Sequence, residues 1–432
     1  MNNTTFNNHP IIKNSNQYFF EKKYISIHSE DRDISKYPNS SEFEILLPQE
    51  YLNVASSRLH SWSFPANYNV FSINNYNVVM SFKFLDLYNP GEYSVTNDLA
   101  FAIFSALYDY SDKEIVITIE TGFYNPDQMA TELTNQFNQT VTNIITNYFD
   151  DPNNNISNTV KNQFKTNGYK RFSIAYNSVA QRLFFGNQAD KFIITNESSS
   201  FISSNIINNT CVTKNLIPEL VNWGLPSYLG FTRCNVTAYN VSEYIELLKE
   251  TPFHTILSNT FVPRFFYQEV NSSSEFWIEP DTTLTGSSIY YLQAPFKINF
   301  MGPSYLYMEI DGWNCIDETS PYNLNLYTTQ TNKRNSIVNS SFAKIPVPTT
   351  PISQWFDEHG LGPYKYWNPV AERISKIKVK FRYHNGLLAD FSKFDYSFML
   401  ELNILKPQQE KSYSIVNAFD LTQQQSYGSK FI

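Results

Sequence analysis

The sequence predicts a mostly β protein with two jelly-roll-like antiparallel β-sandwich domains and a few inserted helices. Three observations predict this fold: short runs in which apolar and polar residues alternate, an abundance of aromatic residues, and scarce glycine. The 432 residues include 35 phenylalanines and 30 tyrosines but only 13 glycines. Large aromatic side chains suit the half-buried surface of a strand. Many strands with one helix in each long insertion fit a sandwich or jelly roll better than a parallel α/β sheet.

The predicted strands are short and share a period of two residues. They lie at residues 24–27, 42–47, 78–84, 115–119, 172–174, 183–185, 192–194, 297–300, 304–310, 376–382 and 396–405. In the segment 78–84, the alternate side chains of Met80, Phe82 and Phe84 point to one face. We expect Pro48 to end the strand at 42–47, because proline has no N–H to donate to a strand ladder.

One helix is clearly indicated, near residues 126–145. Asn125 is a suitable N-cap, Pro126 suits the first helical position, and Asp127 favours the positive end of the helix dipole. The apolar residues recur every four positions and form one stripe, at Met129, Leu133, Phe137 and Val141. We expect this stripe to pack on a sheet; a partner-binding helix is the alternative.

The domain organisation follows from polar segments and a break near residue 250. Residues 1–22 are polar without a usable period, and the segment 243–250, read as a short helix, leads to Pro252. We therefore predict an extended N-terminal arm at 1–22, a first jelly-roll-like domain at 23–250, a second at 251–407 and a C-terminal tail at 408–432.

Charge and cysteine content exclude some classes of protein. The formal net charge is −8 with 17% charged residues, so no basic excess is present to neutralise phosphates. Cys211, Cys234 and Cys315 form no CxxC pair and no disulfide framework, which suits a reducing compartment. No basic region followed by an apolar run opens the sequence, so we predict no signal peptide and folding in the cytosol.

The motifs of catalysis and metal binding are missing from the sequence. No two of the six histidines have helical ligand spacing, and no nucleophile elbow or phosphate-binding loop appears. Asp31-Arg32-Asp33 resembles a metal-binding pair but is better read as a polar turn. Asp357-Glu358-His359 is read as a solvated loop rather than an acid–base pair. We therefore predict no catalytic residue, no metal and no cofactor, and expect that the protein is not an enzyme.

A row of cations is the one candidate binding feature. Lys376, Lys378, Lys380 and Arg382 share one face of a predicted strand, and the intervening apolar residues face the core. Such a row could contact an anionic partner: an acidic neighbouring subunit, membrane headgroups or nucleic acid. The alternative is an exposed edge strand whose lysines discourage pairing with other chains.

Five motifs, in order along the chain, resemble those of virion proteins of nucleocytoplasmic large DNA viruses, in particular their minor capsid proteins. An "SxDRD…YPN" opening precedes the first strand, a "GxY" element precedes the helix, "LGF" follows, and "FAKIP" and a final strand pair lie in the second half. The matching residues are Asp31, Arg32, Asp33, Tyr37 and Pro38; Gly122 and Tyr124; Leu229, Gly230 and Phe231; Phe342, Lys344 and Pro346; and Gly386, Asp390 and Phe391.

The resemblance implies jelly-roll domains and a place in an icosahedral shell, and it does not separate minor capsid, vertex and major capsid roles. Our hypothesis is a minor capsid component that contacts and stabilises the shell. It implies the major capsid protein and other capsid subunits as partners, with another copy of the chain as a further candidate and no specific nucleic acid; membrane contact stays open. The expected location is the virion, after assembly in the host cytoplasm. The motifs are structural, so the resemblance carries over no ligand-binding residue.

Two alternatives stay open. The first is a major capsid protein that forms trimers. The second is a glycan-binding jelly-roll module, for which Trp277, Trp313 and Trp367 are the candidate sugar-stacking residues, although core packing explains each of them more simply.

Overall fold

The fold is antiparallel and mostly β, as the sequence predicts. The computed structural model describes residues 18–66, 69–75, 77–93, 95–111, 113–196, 224–240, 242–243, 277–318, 339–347, 353–357, 362–384 and 386–407. Every strand pair among these residues is antiparallel, and helices are few. The predicted class, an antiparallel β-sandwich protein with inserted helices, is confirmed.

The strands are β1 (Tyr18–His28), β2 (Glu42–Ala66), β3 (Val79–Asp86), β4 (Ile115–Thr118), β5 (Phe172–Asn177), β6 (Arg182–Asn187), β7 (Lys191–Ile194), β8 (Val236–Thr237), β9 (Tyr290–Gln293), β10 (Tyr305–Ile310), β11 (Ile316–Glu318), β12 (Asn339–Ser341), β13 (Ala343–Pro346), β14 (Ser353–Asp357), β15 (Lys365–Arg382) and β16 (Ser397–Pro407). The helices are α1 (Asp98–Asp109), α2 (Pro126–Asp150), α3 (Asn158–Asn167) and α4 (Leu225–Tyr228). Within the described ranges, no helix has the length and apolar character needed to cross a membrane.

The chain forms two compact units, and the first is discontinuous in sequence. The first unit comprises Met1–Tyr68, Pro303–Asn323 and Asn332–Ile432, and the second comprises Asn69–Gly302 and Leu324–Thr331.

This grouping differs from the predicted sequential domains 23–250 and 251–407. The reason is that β1 and β2 form their ladders with β15 and β16, from the far end of the chain. The boundary predicted at residue 250 lies outside the described residues. Residues 18–22 of the predicted arm belong to β1, which begins at Tyr18. Residues 1–17 of the arm, like the tail predicted at 408–432, lie outside the described residues.

The first unit is built on a seven-stranded sheet around the 25-residue strand β2. The strand order is β1-β16-β2-β15-β10-β13, and β14 also pairs with β2. Contrary to the sequence prediction, β2 continues past Pro48. Tyr51 pairs with Ile374 and Leu46 pairs with Lys376, so Pro48 lies in an irregular stretch between these two pairs. A proline is tolerated at such a bulge because no regular ladder bond is lost there.

An aromatic cluster occupies the core of the first unit. The ring of Phe64 in β2 lies 5.2 Å from that of Phe381, 5.6 Å from that of Phe391 and 4.9 Å from that of Tyr396, measured between centroids. All four side chains are at most 3% exposed. Since these residues come from β2, β15 and the segment before β16, the cluster joins the two ends of the chain.

The second unit contains two small sheets with α2 against them. One sheet has the order β4-β3-β7-β8 and the other β5-β6-β9. The ring of Phe137 in α2 lies 4.6 Å from that of Phe82 in β3, 5.0 Å from that of Phe172 in β5 and 6.0 Å from that of Phe185 in β6. The apolar stripe of α2 therefore packs on strands of both sheets, as the sequence predicts.

The start of α2 is also confirmed. The Asn125 side chain accepts from the backbone N–H of Gln128, and the Gln128 side chain accepts from the backbone N–H of Asn125. This capping box, with Pro126 at the first position, satisfies donors that a helix start leaves unpaired. The helix runs to Asp150, five residues beyond the predicted end.

One local prediction for the second unit is wrong, and two helices were not predicted. These helices are α1, which Asn97 caps, and α3, which Ser157 caps. Residues 297–300 are not a strand. Instead, the backbone N–H of Ile298 donates to the Gln181 carbonyl and that of Asn299 to the Tyr228 carbonyl, so neighbouring residues bond different segments.

We expect the substitution Phe137→Ala to lower the free energy of unfolding by about 3–5 kcal/mol, because it empties a fully buried site between two sheets. Urea denaturation followed by circular dichroism measures the change. Phe394→Ala is the matched control: Phe394 is 56% exposed, so its loss changes stability by about 0.5 kcal/mol or less. Equal effects of the two substitutions would contradict the packing described here.

Candidate functional site

The turn after β1 contains the first motif and is held by hydrogen bonds within the chain. The Arg32 guanidinium donates to the carbonyl oxygens of Ser29, at 2.6 Å, and of Tyr37, at 3.1 Å. The Asp33 carboxylate accepts from the backbone N–H groups of Ser35 and Lys36. The polar-turn interpretation of Asp31-Arg32-Asp33 is therefore confirmed. Over the described ranges, no group of three or more histidine, cysteine or acidic side chains could hold a metal ion.

The same turn meets the last motif, which lies more than 340 residues further along the chain. The Ser29 hydroxyl donates to the Asp395 carboxylate at 3.0 Å and accepts from the backbone N–H of Tyr396 at 2.9 Å. The Ser41 hydroxyl donates to the Ala389 carbonyl, and the Tyr396 hydroxyl donates to the Ser40 carbonyl. Burial raises the pKa of the Tyr396 phenol well above its ordinary value. The hydroxyl therefore stays a donor at neutral pH.

Gly386, Asp390 and Phe391 of the last motif complete this junction. Gly386 has a φ of 85°, a conformation that favours glycine. Its backbone N–H donates to the Tyr383 carbonyl at 3.1 Å, and the Asp390 carboxylate accepts from the backbone N–H of Ser392. Phe391 belongs to the core cluster around Phe64. These residues position backbone and core rather than a ligand.

The "GxY" motif lies beside Phe71 in the second unit. The backbone groups of Phe71 and Gly122 bond each other in both directions at 2.9 Å, and the Tyr124 ring lies 5.7 Å from the Phe71 ring. Burial raises the pKa of Tyr124 to about 12, and its hydroxyl donates to the Glu120 carbonyl.

The "LGF" motif, Leu229, Gly230 and Phe231, follows Tyr228, whose ring lies 5.5 Å from that of Phe71. Leu229 is fully buried, and the Phe231 ring lies 5.3 Å from the Phe185 ring. Gly230 has a φ of 91°, and a Cβ there would lie 2.1 Å from the Phe296 carbonyl oxygen. Only glycine fits this close approach, which gives the middle residue of the motif a physical reason.

The last four residues of the "FAKIP" motif form β13, at one end of the seven-stranded sheet. Phe342 is fully buried, and its ring lies 5.8 Å from that of Trp313. The Lys344 ammonium lies 3.9 Å from the centroid of the Tyr305 ring, and Pro346 is the last residue of the strand. This motif is structural as well.

The predicted cation row lies on the outer face of the seven-stranded sheet, opposite a set of carboxylates. Lys376 lies 3.3 Å from Glu44, Lys378 lies 2.8 Å from Glu42, and Lys380 lies 3.7 Å from Glu309. The glutamates belong to β2 and β10, which flank β15. β15 is therefore not an edge strand, and the edge-protection explanation is wrong. The contact between these lysines and an anionic partner stays a prediction. Each of the three lysines already has a carboxylate nearby.

Arg382 differs from the lysines because its side chain is fully buried. It donates to Glu309 and Glu318, and its guanidinium lies 5.2 Å from the centroid of the Tyr307 ring. Burial opposes the charged form, but the hydrogen bonds to Glu318 and Glu309 outweigh it and raise the pKa of Arg382. The prediction that Arg382 points outward is thus wrong: its side chain is buried in ion pairs with Glu309 and Glu318.

A second ionic group surrounds Glu401 in β16, a residue that lies within the predicted strand 396–405 but in none of the motifs. Its side chain is fully buried, 2.7 Å from Arg58 of β2 and 3.2 Å from Lys22 of β1, and the Tyr364 hydroxyl donates to it at 3.2 Å. Burial alone would raise the pKa of Glu401, but the hydrogen bonds from Arg58 and Lys22 prevail and lower it. One carboxylate thus ties β1 and β2 to β16. Its place in an alternating strand was the only signal in the sequence.

Of the tryptophan candidates for sugar stacking, Trp313 is buried and Trp367 and Trp277 are half-buried. Trp313 is 6% exposed, and its ring lies 5.2 Å from that of Trp367, which packs against the core of the first unit. Trp277 of the second unit lies over Gly186, where a Cβ would approach its ring to 2.6 Å.

Comparisons with known proteins give distant structural similarity only. No family model matches the sequence, and no curated protein matches it significantly. A chain of the Sputnik virophage cryo-EM structure is similar with a TM-score of 0.37 and 12% identity, over 89% of this chain and 98% of that one. The mavirus penton protein is similar with a TM-score of 0.35 and 6% identity, over 88% and 100%. Similarity at this level does not define a family.

We expect a small loss of stability when the exposed cations of β15 are replaced and a large loss when the buried cation is replaced. The triple variant Lys376→Gln, Lys378→Gln and Lys380→Gln loses about 1 kcal/mol or less for each surface pair. Arg382→Gln alone loses about 3–5 kcal/mol, because it removes the arginine that bonds the buried Glu318 carboxylate. Urea denaturation of the wild-type protein and the two variants checks this order.

Unchanged retention of the triple variant on a heparin column would eliminate the anionic-partner hypothesis for the lysines.

The stability contributed by Glu401 depends on pH in a defined direction. Its folded-state pKa is lowered, so the contribution is present above the ordinary value of 4.5 and is lost as the pH falls through the folded pKa. We expect Glu401→Gln to cost about 1.5–3 kcal/mol at pH 7 and progressively less below about pH 4. Denaturation at both pH values measures this. Glu50→Gln, at an exposed pair with Arg373, is the control and shows little change at either pH.

Proposed function

We propose that this chain is a non-enzymatic structural protein of a virion, a minor capsid component that contacts and stabilises the icosahedral shell of a large DNA virus. The observation that supports it is the ordered set of five motifs that resemble minor capsid proteins. Their residues close turns, fill cores and bond distant segments of the chain. Motifs that stabilise the fold in this way fit a structural protein, whose function is to offer stable surfaces to neighbouring subunits.

The mechanism that we propose is mechanical. The outer face of the seven-stranded sheet carries Lys–Glu pairs that leave little cationic excess, and therefore suits packing against protein neighbours better than binding phosphates. The proposed partners are the major capsid protein and other capsid subunits. The proposed location is the virion, after assembly in the host cytoplasm.

Two other functions compete with this one. A major capsid protein that forms trimers shares the same resemblance, and purified chain with the native mass of a stable trimer would favour it. A glycan-binding module has less support, because Trp313 is buried, Trp367 packs against it and Trp277 packs over Gly186.

The proposal predicts that purified virions contain this chain at a copy number well below that of the main shell protein. Quantitative mass spectrometry, with extraction by graded detergent and salt, measures both abundance and release. We expect release of the chain only together with the shell, because its proposed contacts are with shell subunits.

Two outcomes would contradict the proposal. Detection in infected-cell cytosol but not in particles excludes a virion component. Release by mild detergent before the shell dissociates indicates an outer or membrane-associated protein instead.

A further inference from the structure

The strand β5 lies at one end of the three-stranded sheet of the second unit. Among the described strands, β6 alone pairs with it. The backbone groups along a strand alternate in direction, so those of Ser173 and Ala175 point to β6 and those of Phe172 and Ile174 point away from it. A row of outward backbone groups at the end of a sheet is a template for a strand of another chain unless something covers it.

Side chains of α2 bond these outward groups of β5. The Asn138 carboxamide accepts from the backbone N–H of Phe172 at 2.9 Å and donates to the Phe172 carbonyl at 2.8 Å. The Thr134 hydroxyl accepts from the backbone N–H of Ile174 at 2.9 Å and lies 3.4 Å from the Ile174 carbonyl oxygen. A carboxamide carries a donor and an acceptor, as a peptide group does, so Asn138 makes the pair of bonds that a neighbouring strand would make.

The spacing of these bonds also matches that of a paired strand. The two residues of α2 lie on adjacent turns, a rise of about 6 Å, and their partners in β5 occupy alternate positions, a rise of about 6.8 Å. The order of the two pairs along the chain is opposite, so α2 runs antiparallel to β5. The next turn of α2 continues the series, because the Thr142 hydroxyl accepts from the backbone N–H of Tyr169 at 2.9 Å.

Thr134, Asn138 and Thr142 form a polar stripe that lies beside the apolar stripe of α2. Each of the three directly follows a buried residue of the helix, and these buried residues are Leu133, Phe137 and Val141. The packing of the apolar stripe therefore fixes the polar stripe against β5. Threonine and asparagine are weak helix formers, so the bonds to β5 explain their place inside the helix better than helix propensity does.

We propose, independently of any role in a virion, that the polar stripe of α2 takes the place of a strand and prevents β5 from pairing with a second copy of this chain. Phe172 and Ile174 are at most 6% exposed. Without the polar stripe their backbone groups lie under α2 with no partner, which favours opening of the helix from the strand. A second copy then satisfies the same groups by edge-to-edge pairing.

The double variant Thr134→Val and Asn138→Leu tests this inference in the full-length chain, because it keeps the approximate side-chain sizes and removes the bonding groups. Hydrogen exchange, resolved to single residues by mass spectrometry with electron-transfer fragmentation, reports on the edge. We expect the Phe172 and Ile174 amides to exchange about tenfold faster or more, while the Ser173 amide, which points to β6, keeps its rate.

Sedimentation velocity over a concentration series measures association of the same variant. We expect the concentration at which it associates to fall about tenfold or more below that of the wild type. Asn135→Leu with Thr146→Val is the matched control, because it makes the same two changes in α2 and leaves the polar stripe in place. Asn135 is exposed, and the Thr146 hydroxyl donates to the Thr142 carbonyl within the helix. This control exchanges and associates as the wild type does.

Three outcomes would overturn the inference. Unchanged exchange of the Phe172 and Ile174 amides shows that the polar stripe does not hold the edge. Faster exchange without stronger association shows that an opened β5 does not pair with a second copy. The third outcome concerns Val141→Ala, which removes buried volume from the same helix and leaves the polar stripe in place. Equal association of this variant, compared at urea concentrations that give both variants the same free energy of unfolding, attributes the effect to lost stability alone.

Discussion

The structure depends on the pairing of β2 with strands from the far end of the chain. β2 bonds β15 along one edge and β16 along the other, and β1 adds to β16. These ladders bring together residues more than 300 positions apart, so the chain must close a very long loop before their backbone bonds form. The aromatic cluster around Phe64 and the buried carboxylate of Glu401 supply contacts that offset this entropy.

The second unit depends on a different contact, the insertion of Phe137 of α2 between strands of two small sheets. Its residues 69–302 lie in sequence between the segments of the first unit, yet they have their own core. Short sheets of three and four strands bury little apolar area by themselves, and a helix across both provides the missing surface. This explains why the strongest helix signal in the sequence lies here.

In the seven-stranded sheet, the contribution of a charged residue to stability depends on whether its side chain is exposed or buried. The lysines of β15 lie beside glutamates of neighbouring strands at the surface, where such pairs add little stability. Arg382 and Glu401 are buried, so their partners are indispensable once the sheet has formed. On the outer face of this sheet, the charges of the lysines are largely neutralised by glutamates of the same sheet. Such a face is suited to specific packing against other subunits, which is the role that we propose.

The sequence by itself determined the mostly β class, the inward residues of most strands and the start of α2, because alternation and capping are local properties. It also determined the polar turn at Asp31–Asp33. It did not show that Pro48 lies within a strand, that residues 297–300 bond irregularly, or that α1 and α3 exist. Only the tertiary structure decided the division into units, the interior position of β15 and the burial of Arg382 and Glu401. These depend on which distant strands become neighbours, and period-two patterns carry no information about partners.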